Sequence, residues 1–196
     1  MLHDTRIVLL PLPTCDGNLE PKNTADNLRD IDFPEAQTLR GSDAHHPSFG
    51  QSGVERGAYR AAIDMGLPVA GFMPGSGRDE FGRLSSILRA CLEPSGTRGF
   101  PGAVLANIGM ATAALIVVPE VARAHRYTGI ENTLKAVRAA GIPLKLCDPS
   151  TDAQEVLQWV GGLGTGTRLM VHGPRKTRWT DGEAVAWKLV ATIAVY

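Results

Sequence analysis

The stretch Ala113-Ala114-Leu115-Ile116-Val117-Val118-Pro119 limits the fold more than any other part of this chain. It has no polar side chain, is rich in branched residues, is too short for an ordinary buried helix, and shows no alternation. Such a run fits a strand buried on both faces, the habit of parallel sheets covered by helices. Parallel strands need crossover connections, so the rest of the chain should alternate strand and helix.

It does so from Val54 onward. Val54, Ala58, Ala61, Ala62 and Met65 form a helical stripe that Gly66 ends, and "LPVAGFM" follows as a strand. Arg83 to Leu92 reads as a helix and "EPSGTRGFPG" as a loop. After the apolar run, Ile130, Leu134 and Val137 form a second stripe ended by Gly141, and "IPLKLCD" is the next strand. Ser150 or Thr151 caps a helix around Val156, Leu157 and Val160, "RLMVHG" is a strand, and Gly182 to Thr192 closes the chain as a helix with Val185 and Leu189 inward. The pattern predicts an α/β fold with a mainly parallel sheet, helices on both sides and right-handed crossovers.

Residues 1–48 differ. Apart from Arg6 to Leu10, a candidate short strand, they carry prolines and polar stretches such as "SDAHHPS" without a steady period. They read as an irregular N-terminal arm, leaving residues 49–196 as the ligand-binding domain. Twenty basic and twenty acidic residues give a net charge of zero, so no global field steers the protein to nucleic acid or an anionic membrane. Cys15, Cys91 and Cys147 are far apart and form no Cys-x-x-Cys pattern, which points to reduced thiols rather than a disulfide scaffold or zinc site. No stretch approaches the ~20 apolar residues of a membrane span, and the start lacks a signal-type apolar region. The expected setting is cytoplasmic. The edges of a small parallel sheet leave room for a homo-oligomer.

In such folds ligands gather at strand carboxyl ends and helix N-termini, where unpaired N–H groups meet an anion. Three loops hold that position. In "FGQSG", Gly50 and Gly53 allow close approach beside Gln51 and Ser52, unless the loop is a tight turn with Ser52 as helix cap. In "YTGIENT", Gly129 stands among the short donors Thr128, Asn132 and Thr133, unless these form an ordinary cap. In "HGPRKTRW", Arg175, Lys176 and Arg178 either close on a phosphate or are a solvated basic loop. Arg78 adds a charge near the first loop. "GGLGTGT" leaves a helix and enters a strand, the reverse of a dinucleotide fingerprint, and is read as a connection. Glu55 and Glu80 are either solvated carboxylates or general acid–base groups, and His172 either a polar strand end or a site residue. The adjacent His45 and His46 lack a third metal ligand, so no metal is expected.

Gly50-Gln51-Ser52-Gly53-Val54-Glu55-Arg56, "AIDMGLPVAGFMP" and "GRDEFG" from Gly77 together resemble the putative molybdenum carrier family, a circularly permuted branch of the SLOG superfamily. The resemblance continues through "ANIGMATAALIVVP", "TGIENTLKAVRAAGIPL" and "HGPR", covering Phe49 to Tyr196. Phe49 stands where the family has glycine, Ser52 where it has threonine and Glu55 where it has aspartate. The apolar strand before the first motif is replaced by "SDAHHPS", so either Arg6 to Leu10 supplies it or the first strand is short. The resemblance implies a Rossmann-like three-layer sandwich that binds a nucleotide-like or molybdenum-cofactor-like ligand. The expected partner is a small phosphorylated molecule held by Gly50, Gln51, Ser52, Gly53, Arg78, Glu80, Thr128, Gly129, Asn132, Thr133 and Arg175, in a carrier or sensor rather than an enzyme. A LOG-type nucleotide N-glycosidase with Glu80 assisting is the alternative, although the LOG signature Pro-Gly-Gly-x-Gly-Thr is absent from the sequence. A scaffold without ligand is the third reading.

Overall fold

The structure is a computed structural model describing residues 6–9, 52–98 and 100–194. In chain order the elements are β1 (Arg6–Leu9), α1 (Val54–Asp64), β2 (Val69–Ala70), β3 (Phe72–Met73), β4 (Arg78–Asp79), β5 (Gly82–Arg83), α2 (Ser86–Cys91) and β6 (Glu93–Pro94). There follow α3 (Phe100–Met110), β7 (Ala113–Val117), a 3-10 segment (Val121–Arg126), α4 (Thr128–Ala139), β8 (Leu144–Cys147), α5 (Ala153–Gly161), β9 (Arg168–His172) and α6 (Gly182–Ala194). Five strands form one parallel sheet in the order β2-β1-β9-β7-β8. Two small pairs, β3 with β6 and β4 with β5, stand apart from it.

The strand pleat sorts the core. Ala113, Leu115 and Val117 of β7, with Leu169 and Val171 of β9, pack under α1, α5 and α6. Ala114, Ile116 and Met170 point the other way, against Val104 and Ile108 of α3 and Ile130, Leu134 and Val137 of α4. Every residue of β7 is buried, as expected of a central strand covered on both faces. This is the Rossmann-like three-layer sandwich that the sequence predicts. No helix among the described residues is long and apolar enough to cross a membrane.

Helix α1 ends as its sequence predicts. Leu67 N–H donates to Ala62 O at 2.8 Å and Gly66 N–H to Ile63 O at 3.1 Å, a Schellman closure with Gly66 at φ 67°. Elsewhere the structure corrects the sequence reading. "LPVAGFM" is not one strand: the chain breaks at Gly71, with β2 in the main sheet and β3 diverted to β6. Asn107 on α3 holds β3 there, accepting Phe72 N–H at 2.7 Å and donating to Phe72 O at 2.8 Å. The helix expected from Arg83 begins only at Ser86, because Ser85 accepts Leu88 N–H as its cap. The segment read as a loop up to Gly102 contains β6 and the first turn of α3. Asp152, not Ser150 or Thr151, caps α5, accepting Gln154 N–H.

The strand Arg6–Leu9 is an interior strand of the sheet, between β2 and β9. Ile7 is opposite both Val69 and Leu169, and Leu9 is opposite Val171. Of the two alternatives for the first strand, this is the one in which the N-terminal segment supplies it. The rest of the expected arm, including Cys15, His45 and His46, lies outside the described residues.

Candidate functional site

The connections around the sheet diverge at one point. Helix α1 leads outward to β2 on one face, whereas α4 leads from β7 to β8 on the other. Strand β9 lies between β1 and β7, so its carboxyl end sits where the two helix starts part. Open α/β sheets form their ligand crevice at such a switch point.

His172 ends β9 there and is fully buried. Its Nε2 is 3.1 Å from Thr133 Oγ1 on α4, and its Nδ1 is 2.8 Å from Glu55 Oε1 on α1. Thr133 Oγ1 also donates to Gly129 O at 3.0 Å. Its single hydroxyl proton is thereby used, so it accepts from His172, which places a proton on Nε2. Glu55 and Nδ1 are close enough for an ion pair but not aligned as a hydrogen bond, and these two atoms are the buried side-chain polar atoms without an aligned partner among the described residues. Burial raises the Glu55 carboxyl above its ordinary value of 4.5, and the charge and contact of His172 oppose that rise. Glu55 is therefore not the solvated carboxylate that its place in the sequence allows. His172 is more than a polar strand end, because it ties the first turns of helices from opposite layers to one strand.

A second polar cluster lies beside this chain. Ser52 is buried and donates its hydroxyl to Glu80 Oε1, while its Oγ accepts Lys176 N–H at 3.1 Å. Arg175 Nη1 is 3.2 Å from Glu80 Oε2, and Thr177 Oγ1 donates to the same oxygen at a long 3.4 Å. The N-cap of α1 is Gly53, not Ser52, and no side chain caps this helix start. Gly53 has φ +82°, and a Cβ there would lie 2.5 Å from Pro174 O and 2.7 Å from Lys176 N. The glycine thus lets the start of α1 lie directly on the loop after β9, and Val54 N–H donates to Pro174 O at 3.3 Å.

The start of α4 also lacks a side-chain cap; Tyr127 occupies the N-cap. Thr128 and Asn132 are exposed there, Gly129 is half-buried and Thr133 is buried. Of the residues singled out by sequence, the structure gathers Ser52, Gly53, Glu80 and Arg175 into one cluster and Thr128, Gly129, Asn132 and Thr133 into the first turns of α4. His172 and Glu55 join the two groups. Arg78 is exposed on the β4–β5 hairpin, with no described hydrogen bond or ion pair to the cluster. Gly50 and Gln51 lie outside the described residues. Sequence reasoning missed Thr177 and the backbone N–H of Lys176; the only signal for either was membership of the loop that follows "RLMVHG". Among the described residues, no group of three or more His, Cys, Asp or Glu could hold a metal ion.

No curated protein matches the chain. Among solved structures it is similar to the crystal structure of the putative molybdenum carrier protein from Syntrophus aciditrophicus SB, with a TM-score of 0.63 and 18% identity over 74% of this chain and 90% of that one. At that identity the likeness speaks for the fold. The model of the circularly permutated YpsA SLOG family matches residues 47–194, a span that holds both the start of α1 and the loop after β9. The protein belongs to the circularly permutated YpsA SLOG family.

Proposed function

We propose that the protein is a cytoplasmic carrier or sensor that binds a small phosphorylated ligand, nucleotide-like or molybdopterin-like, at the carboxyl edge of its sheet. The observation that carries this reading is the junction at His172, where two helix starts without side-chain caps are tied to the end of one strand beside Arg175. A helix N-terminus contributes only about 0.3–1 kcal/mol toward an exposed anion, and a charged hydrogen bond about 1.5–3 kcal/mol. Together these terms correspond to roughly millimolar binding of a bare phosphate, so tight binding requires further contacts with the rest of the ligand. Arg175 supplies the charge, while Ser52, Thr128 and Asn132 supply short donors; Thr133, buried and with its hydroxyl proton on Gly129 O, braces His172 instead. The name of the similar solved protein favours including molybdenum-cofactor chemistry among the ligands tested.

The test is a thermal-shift panel of nucleotides, cyclic nucleotides and pterin phosphates on wild type and Arg175→Ala at matched salt. At about 100 times its dissociation constant, a ligand adds roughly 2.7 kcal/mol of stability. For a chain of this size that raises Tm by about 5–10 °C. At least one phosphorylated compound should shift the wild type in this range, and Arg175→Ala should lose most of the shift. No shift with any phosphorylated compound contradicts the reading.

A further inference from the structure

One carboxylate takes up much of the donor capacity of the candidate site. Glu80 lies between β4 and β5 at the turn of the Arg78–Arg83 hairpin. It receives the Ser52 hydroxyl from the start of α1 on one oxygen, and Arg175 Nη1 at 3.2 Å and Thr177 Oγ1 at 3.4 Å on the other. These donors come from two segments far apart in sequence, the start of α1 and the loop after β9. A guanidinium with hydroxyl donors around it is also what the terminal oxygens of a phosphate monoester require.

We propose that Glu80 is a built-in stand-in for the ligand's anionic group, and that the Arg78–Arg83 hairpin is a lid that withdraws it when a phosphate monoester binds. This rests on the ligand-binding reading above and names the contact that the ligand must displace. The hairpin stands apart from the sheet, and opening it must carry or separate the largely buried Arg56–Asp79 pair. Its two strands pair only with each other and lie outside the main sheet. The described side-chain ties of its other residues to the body run through Arg56, which pairs with Asp79 at 3.5 Å and lies 5.9 Å from the centroid of the Phe81 ring. Phe81 itself is 61% exposed, so opening uncovers little apolar surface. A phosphate dianion carries more charge than a carboxylate and competes well for Arg175, while a released Glu80 regains water. The closed lid lowers the apparent affinity by the fraction of molecules that are open.

The test uses the full chain as wild type, Glu80→Gln and Glu80→Ala. Inorganic phosphate and AMP are titrated calorimetrically, and amide hydrogen exchange is followed over residues 78–83. Both variants should bind AMP about tenfold tighter than wild type, the scale of removing one competing charged contact. Their hairpin amides should exchange faster without ligand, and AMP should speed the same amides in wild type. AMP affinity that is equal or weaker in both variants overturns the proposal while leaving the ligand-binding reading intact, because Glu80 would then hold the ligand or simply brace the fold. Slower hairpin exchange in wild type on adding AMP has the same meaning. If neither compound binds wild type or variants, the lid and the phosphate site fall together.

Discussion

Glu55 and His172 place two ionisable side chains in contact in the interior, with Thr133 and nearby backbone groups among the described residues that share their polarity. Leaving one of such a pair unpartnered is costly, whereas a neutral group of the same shape is tolerated. Because burial raises the Glu55 carboxyl, its protonated form stabilises the fold fully below the ordinary value of 4.5, and that contribution is lost as pH rises through the native value. Glutamine keeps the shape without the titration. The stability of wild type relative to Glu55→Gln should therefore fall with rising pH, by up to about 1.4 kcal/mol per pH unit within that window. Urea unfolding of both proteins from about pH 4 to pH 8 measures this directly. Parallel stability curves would show that Glu55 is not held above its ordinary value. Neither burial was visible in the sequence. Glu55 follows Val54 at a helix start, a usual place for a solvated acid, and its cover comes from His172 and Gly173, far along the chain.

At the scale of elements, β1 is the piece whose placement the sequence left open. Periodicity is a local signal, and it served well where a side-chain stripe alone decides burial. Ile130, Leu134 and Val137 locate α4, and the unbroken run to Val118 locates β7. It failed where a distant partner or a weak propensity decides. Helix α3 carries Pro101, Gly102 and Gly109, poor helix formers whose cost is offset by packing of Val104 and Ile108. Strand β3 leaves the sheet because Asn107, more than thirty residues further on, takes its backbone groups. The four residues of β1 carry little pattern of their own, yet they pair on both sides. We propose that residues 10–48 act as a connecting segment between this strand and the domain, since their sequence has no helical or strand period. Limited proteolysis should cut between Cys15 and His46, and the N-terminal piece should stay with the core on size exclusion. Loss of that piece would contradict an interior β1, and uniform protection would contradict a connecting segment.

For the whole molecule, the sheet order β2-β1-β9-β7-β8 does what no single motif does. It brings the start of α1, the start of α4 and the loop after β9 to one edge, although they are widely separated in sequence. The fold class was legible because alternating strands and helices leave few arrangements. The candidate site was legible only as three separate loops, since strand order sets which loops meet and sequence spacing does not encode it. The resemblance of "GQSGVER" and "HGPR" to a known family pointed to the same edge, but the buried link through His172 appears only in the structure. A titration of the isotopically labelled protein with AMP and with a pterin phosphate, followed by the backbone amide resonances, tests ligand binding at this edge. For at least one of the two, the largest shifts should fall on Ser52 and Gly53, Thr128 to Thr133, and Gly173 to Thr177, with the Arg78–Arg83 hairpin responding in step. Saturable shifts confined to another face, or no shift with either compound, would contradict it.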